Sequence, residues 1–191
     1  MNMISLEAMK GICYFYGVFS LVAQFSLSPE KTPTWLITVV SFFSVAIFTF
    51  IMLRFKEELN RRLDSIKMDR VIIMMVYLSI AVYGTSLLGR TYPKSVVYIQ
   101  LFLGIGGIIL DIIYAIFLKN LDAPLEKLEK VKSLRLYSNC ILAAIFMIFT
   151  IVGIIFAVFL ISLSYFILGN IFMEMSYLED IEDLEEENLE N

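Results

Sequence analysis

The uncharged apolar runs of this chain constrain its fold more than any other feature, because they are long enough to cross a bilayer. A helix needs roughly 20 apolar residues to span a hydrocarbon core about 30 Å thick. The chain has 191 residues and 59% of them are apolar, and a soluble domain would interrupt such runs with charges every few residues. We therefore predict an all-α integral membrane protein, a bundle of five transmembrane helices over residues 11–28, 35–53, 71–89, 96–118 and 139–168.

The last apolar run, over residues 141–173, is longer than one bilayer crossing requires and carries no charge. The pattern favours one long helix that is tilted or protrudes from the membrane and ends at Gly169, because glycine commonly terminates helices. Two shorter spans joined by a turn at Gly153 are the alternative, and they would raise the number of spans to six. We predict one helical bundle over residues 1–173, followed by an acidic tail over residues 174–191.

The first apolar run has two interpretations. Residues 11–27 have the length of the apolar part of a signal peptide, and Ser26 and Ser28 could mark a cleavage site. Pro29 would then follow that site, the run contains tyrosines that are atypical of signal peptides, and its amino-terminal side is weakly charged. We favour an uncleaved first transmembrane helix.

The basic residues predict the orientation of the bundle, because the cytoplasmic loops of membrane proteins are enriched in Lys and Arg. The connections after the second and fourth spans are strongly basic, whereas the other connections carry little positive charge. Both should therefore be cytoplasmic, which places the N-terminus inside and, with five spans, the C-terminus outside. The residues concerned are Arg54, Lys56, Arg61, Arg62, Lys67, Arg70, Lys119, Lys127, Lys130, Lys132 and Arg135.

The same basic connections predict contacts at the membrane surface. Both have the pattern of short cytoplasmic amphipathic helices. The first contains two pairs at the i,i+4 spacing of helical ion pairs, Glu57 with Arg61 and Glu58 with Arg62. Anionic lipid headgroups are the expected contact of such segments, and docking of a specific protein partner is the alternative. Nucleic-acid binding is not expected, because topology already accounts for the basic residues.

Asp111 is the acidic residue that lies well inside an apolar run. Helical spacing puts it on one face of the fourth span together with polar and small residues. An ionised carboxylate at this depth costs on the order of 2.5–3.5 kcal/mol, so it needs a partner, water or a proton. The predicted intramembrane face consists of Gln100, Gly104, Gly107, Asp111 and Tyr114.

Lys10 is the candidate counter-ion for Asp111, because the two residues lie at similar predicted depths. Three interpretations of Asp111 are open: a structural ion pair or hydrogen-bond centre, a proton or cation site in a conduction or coupling path, or a contact with a polar residue of another subunit. The glycines of the same face would let a neighbouring helix approach closely.

The sequence contains no recognisable catalytic or metal-binding motif. It has no histidine, which removes the commonest general base and the commonest metal ligand. Serine-hydrolase, P-loop and zinc-protease motifs are absent as well. We therefore expect no catalytic residue, no metal site and no cofactor. Cys13 and Cys140 are far apart in the sequence and are expected to be free thiols in packing roles.

Three classes of function are compatible with these features. We expect a non-enzymatic accessory, assembly or regulatory subunit of the plasma or inner membrane. Such a protein would work through contacts of its helices with lipid and with another membrane subunit or a copy of itself. The first alternative is a small oligomeric channel or a proton- or cation-coupled transporter that uses Asp111. The second alternative is a membrane enzyme, which the absence of a catalytic motif disfavours.

Overall fold

The computed structural model describes residues 5–26, 32–63, 66–91, 93–121 and 123–190. The regular elements within these residues are all helices. Their bounds are α1 Leu6–Ser26, α2 Thr34–Leu63, α3 Asp69–Thr91, α4 Pro93–Lys119, α5 Leu125–Lys130, α6 Ser133–Ile148 and α7 Ile151–Glu190.

Five of these helices are long and apolar enough to cross a membrane. They confirm the predicted all-α membrane bundle with five long spans. The first four predicted spans overlap α1 to α4, although α1 begins at Leu6 rather than at residue 11, and α2 continues to Leu63 rather than ending at residue 53. The apolar spans within the helices are Leu6–Phe25, Thr34–Leu63, Asp69–Gly89, Val96–Lys119 and Gly153–Leu178.

The last predicted span, over residues 139–168, is wrong as a single helix. The chain forms two helices there, since α6 ends at Ile148 and α7 begins at Ile151. Cys140 of α6 donates a hydrogen bond to the backbone oxygen of Leu160 in α7 (3.1 Å), so the two helices form an antiparallel hairpin. Helix α6 has 16 residues and is therefore about 24 Å long, which is shorter than the five long spans.

The turn between α6 and α7 depends on Thr150 and Gly153. The Thr150 hydroxyl oxygen accepts a hydrogen bond from the backbone N–H of Gly153 (3.0 Å), which caps the start of α7 as threonine does at many helix N-termini. A Cβ atom at Gly153 would lie 2.1 Å from the backbone oxygen of Met147, so this close approach requires glycine. Thr150 lies three residues before Gly153, where the alternative with two shorter spans placed the turn.

The hairpin returns α7 to the end of the bundle at which α1 begins. We call this end, where the α2–α3 and α4–α6 connections also lie, the basic end, and the opposite end the far end. Glu174 of α7 accepts hydrogen bonds from the backbone N–H (3.0 Å) and the hydroxyl (2.7 Å) of Ser133 at the start of α6. The prediction that the C-terminus lies on the side opposite the N-terminus is therefore wrong, because the hairpin of α6 and α7 brings the chain back to the basic end. Helix α7 also continues past Gly169 to Glu190.

The helices surround a central space. The contacting neighbours around the bundle are α1 with α2, α2 with α3, α3 with α4, α4 with α6, α6 with α7 and α7 with α1. Consecutive neighbours are antiparallel: for example, Tyr14 near the start of α1 donates a hydrogen bond to Asn170 of α7 (2.6 Å), and Phe25 near its end packs against Phe159. This arrangement leaves an interior space bordered by several helices.

The hydrophobic core fills this interior at the basic end. The buried side chains of α2 all lie between Ile51 and Leu63. Phe55 packs edge-to-face against Phe172 of α7, with 5.9 Å between the ring centroids, and the side chains of Phe55, Phe172 and Tyr114 are fully buried. The core therefore closes the bundle at the basic end, whereas the far halves of α2 and α3 contribute no buried side chain to it.

A buried ion cluster lies beside this core on α2. Glu58 is fully buried, and its carboxylate is 2.7 Å from Arg62, 2.9 Å from Arg54 and 3.3 Å from Arg61. Arg62 also donates a hydrogen bond to the backbone oxygen of Met175. The predicted Glu58–Arg62 pair is thus present in the structure. The first predicted cytoplasmic helix is a continuation of α2, and the second corresponds to α5.

Candidate functional site

A cavity of about 640 Å³ occupies the interior between the core and the far end. Side chains of α1, α2, α3, α4 and α7 line it. Its floor, next to the core, includes Tyr16, Asp111 and Tyr165, and its rim includes Gln24 and Val82, which are both exposed. The cavity is thus closed towards the basic end and approachable from the far end.

Asp111 contributes the carboxylate of the cavity lining. The side chain is partly buried, and it forms no hydrogen bond or ion pair with any residue in the described ranges. The described residues of the lining include no lysine and no arginine. An ionised Asp111 would therefore be stabilised by water or by a cation that enters the cavity, and a bound proton would neutralise it.

The predicted face of the fourth span is divided between three environments. Gly104, Gly107 and Asp111 line the cavity. Tyr114 lies one turn deeper in the core, where its hydroxyl donates a hydrogen bond to Tyr137 (3.4 Å). Gln100 is exposed towards the far end. Part of the predicted polar face therefore borders the cavity, while the rest serves packing or the surface.

Lys10 does not reach Asp111. Its ammonium nitrogen lies over the ring of Tyr14, 5.7 Å from the ring centroid, and no ion pair links it to Asp111 in the described part of the chain. Asp111 borders the cavity beside Tyr16 and Tyr165, whereas Lys10 lies near the start of α1, where its backbone oxygen faces Gly169 of α7. The predicted Lys10–Asp111 contact is thus absent from the structure.

The glycines of α4 do not mediate close helix packing as expected. A Cβ atom at Gly104 would meet no atom within 4 Å, and one at Gly107 would meet only Leu78 at 3.5 Å. Close approach occurs instead between α1 and α7, where a Cβ atom at Gly17 would lie 2.8 Å from Phe166 and one at Gly169 would lie 2.7 Å from Tyr14. The absence of side chains on Gly104 and Gly107 leaves room inside the cavity.

A group of hydroxyl side chains in the cavity was not predicted from the sequence. The hydroxyls of Tyr16 in α1 and Ser44 in α2 share a hydrogen bond (3.1 Å). The ring of Tyr16 packs edge-to-face against Tyr165 of α7, with centroids 4.6 Å apart. These residues come from distant parts of the chain, and their sequence positions alone give no signal of their meeting.

Several serines of the lining donate their hydroxyl protons to backbone oxygens of their own helices. Ser79 donates to the backbone oxygen of Val76 (2.8 Å), and Ser86 donates to that of Tyr83 (2.7 Å). Ser20 likewise donates to the backbone oxygen of Gly17 (3.0 Å). Such bonds to the preceding helical turn are common for serine in apolar helices. The hydroxyl oxygens keep lone pairs, so these groups can act as hydrogen-bond acceptors in the cavity.

The cavity has the chemistry of a site for a positively charged ligand. It combines one carboxylate with hydroxyl acceptors and aromatic rings, all held by helices. Within the described ranges, no three His, Cys, Asp or Glu side chains come together in a way that could hold a metal ion. A site built on one acid and aromatic rings differs from the oxygen-rich cages that bind divalent cations.

Comparisons with protein-family models, with curated proteins and with solved structures give no match for this chain. The functional conclusion therefore rests on the chemistry of the cavity.

Proposed function

We propose that this multi-pass membrane protein is a small carrier that binds a cation, or a proton in its place, at Asp111. The observation that supports the proposal is the environment of that carboxylate, which faces a cavity of about 640 Å³ without a cationic side chain among the described residues of its lining. An isolated charge in an apolar bundle is costly. A carboxylate that the protein leaves unpaired can exchange a proton for a positively charged ligand.

The shape of the cavity favours a carrier over a channel. Beneath Asp111 the interior is filled by fully buried side chains, including Tyr114, Phe55 and Phe172. A channel requires a path through both ends of the bundle, whereas a carrier exposes its site to one side at a time. The basic end is predicted to be cytoplasmic, so the cavity would be open to the outer side in this conformation.

The accessory-subunit class remains a prediction without a specific contact in its favour. Large apolar side chains such as Tyr98, Phe102 and Phe146 are exposed on the outside of the bundle. Lipid requires such a surface, so a partner subunit is not needed to explain it. Asp111, in contrast, faces the interior, where a partner helix could not reach it without displacing the bundle.

The proposal is tested by measuring proton-coupled cation exchange in vesicles. Purified protein is reconstituted into liposomes that contain a pH-sensitive dye and an acidic lumen. Addition of an external cation should make the lumen more alkaline, because each cation that enters displaces a proton. A panel of Na⁺, K⁺ and quaternary ammonium ions, which have no neutral form that crosses lipid unaided, is compared in the wild type and in Asp111→Asn.

We expect exchange in the wild type for at least one cation and none in Asp111→Asn. The matched control is Glu129→Gln, which removes an exposed acid from α5 and should leave exchange unchanged. Equal exchange in Asp111→Asn and in the wild type would overturn the proposal. Failure of every cation to move protons in the wild type would overturn it as well and favour the accessory class.

A further inference from the structure

We infer that the ligand of the cavity is an amphiphilic organic amine with one positive charge, that is, an apolar or aromatic body that carries one protonated nitrogen. This inference rests on the proposed function and names the substrate class of the same site. Charge, hydrogen-bonding capacity, shape and aromatic contacts each contribute to it.

The charge of the lining sets the charge of the ligand. Among the described residues of the lining, Asp111 is the only acid, and none of them is basic. One carboxylate neutralises one positive charge. A ligand with two charges would keep one of them unpaired in an apolar space, which is unfavourable.

The hydroxyl groups of the lining favour a ligand that donates hydrogen bonds. The protons of Ser20, Ser79 and Ser86 are directed to backbone oxygens of their own helices. What these groups offer to a ligand is therefore oxygen lone pairs. A protonated amine carries N–H donors that fit these three serine oxygens, whereas a carboxylate or phosphate would be repelled by the Asp111 carboxylate.

The size and polarity of the cavity favour an organic ligand over an inorganic ion. A volume of about 640 Å³ lies within the range of about 300–1,000 Å³ that is typical of small-molecule sites. Most of the wall is apolar, and a dehydrated metal ion would require several oxygen ligands at close range. An organic body fills the space between the apolar residues Phe48, Met75, Leu78, Leu103 and Ile161.

Aromatic rings border the cavity near the carboxylate. Tyr16, Tyr83 and Tyr165 belong to three different helices of the lining, and the Tyr16 and Tyr165 rings are perpendicular to each other. A cation within about 6 Å of a tyrosine ring gains roughly 0.5–2 kcal/mol. These rings can thus contact both the apolar body and the charged nitrogen of an arylalkylamine.

The test compares two ligands of nearly equal shape. Naphthylethylamine, which is protonated at neutral pH, and the uncharged alcohol naphthylethanol are titrated into the protein in nanodiscs of phosphatidylglycerol, with naphthyl fluorescence as the readout and empty nanodiscs as the reference for partitioning. We expect the amine to bind at least about tenfold more tightly than the alcohol, since only the amine pairs with Asp111.

Four variants separate a specific site from a general effect. Asp111→Asn should weaken binding of the amine on the order of a hundredfold and leave the alcohol unaffected, and Asp111→Glu, which keeps the charge, should retain most of the affinity. Tyr165→Leu should weaken the amine about fivefold. Tyr98→Leu removes an exposed tyrosine outside the cavity and should have no effect.

The outcomes distinguish this inference from the proposed function. Equal binding of amine and alcohol, or an affinity for the amine that Asp111→Asn does not change, overturns the substrate class. If inorganic cations exchange with protons through Asp111 and the amine does not bind, the carrier proposal stands and the substrate class fails. Competition by phosphatidylethanolamine in the nanodisc would support the amine chemistry and identify a lipid headgroup as its source.

Discussion

The two halves of the bundle hold a carboxylate in opposite ways. At the basic end, Glu58 is fully buried and its carboxylate lies within 3.3 Å of three arginines. Towards the far end, Asp111 borders a cavity with no cationic side chain among the described residues of its lining. A buried charge stabilises a fold only when its partners satisfy it. Glu58 therefore serves the fold, whereas Asp111 has no such partner in the part of the chain that the structure describes.

The packing of the two halves differs in the same way. Leu59, Phe172 and Met175 at the basic end are completely buried. In the far half, α2 contributes Val40 and Ser44 to the cavity lining and has no buried side chain before Ile51. A closely packed half resists deformation, while loosely packed elements are the ones that move in transport and allostery. Under the proposed carrier function, we expect the far half to move first.

Of the three stability variants, Glu58→Gln should lower the free energy of unfolding most. The variant leaves Arg54 and Arg62 without their shared carboxylate, and loss of one partner of a buried ion pair costs about 3–5 kcal/mol. The free energy of unfolding is measured in detergent micelles by the loss of helical circular dichroism. Glu129→Gln, at an exposed acid, is the control. Equal unfolding midpoints for the two variants would contradict the structural role of Glu58.

Gly153→Ala tests the turn that brings α7 back to the basic end. The new Cβ atom would lie 2.1 Å from the backbone oxygen of Met147, so the turn must deform, at a cost of about 1–3 kcal/mol. Gly106→Ala is the matched control, because a Cβ atom at Gly106 meets nothing within 4 Å and alanine favours a helix by roughly 0.5–1 kcal/mol. If the two variants change the free energy of unfolding equally, this account of the hairpin is wrong.

Asp111→Asn should have the smallest effect on stability, and its sign should differ from that of Glu58→Gln. The carboxylate has no partner within the described chain, so its removal leaves no group unpaired. We expect the free energy of unfolding to stay the same or to rise by up to about 1 kcal/mol, as is common when a functional charge is removed. A loss comparable to that of Glu58→Gln would show that Asp111 is a structural group.

Much of the architecture follows from the sequence, because each long apolar run must form a helix in lipid. The first four spans were predicted at the positions of α1 to α4, although not with the full length of α2, and the Glu58–Arg62 pair was predicted from spacing within one helix. These features depend on neighbours in sequence. The hairpin at Thr150 was not predicted, because a turn that contains no charged residue and no proline gives only a weak signal in the sequence. The capping threonine three residues before Gly153 was the feature that could have indicated it.

The cavity could not be predicted, because it depends on how distant helices pack. Helical spacing correctly groups Gly104, Gly107 and Asp111, but it cannot distinguish a face that packs against a helix from one that borders an empty space. Equal predicted depth suggested that Lys10 would reach Asp111. Depth alone does not fix the direction of a side chain around its helix axis, and Lys10 lies over Tyr14 instead.

The most direct test of the central claim is the accessibility of residue 111 from the far end of the bundle. Asp111→Cys is made in a chain whose two cysteines are replaced by alanine, and Leu59→Cys, at a fully buried position of the basic half, is the control. Both are treated in sealed vesicles with a positively charged, membrane-impermeant thiol reagent. We predict fast modification at position 111 from the side that the far end faces, and none at position 59. Equal protection of both positions from that side would contradict an open cavity at Asp111.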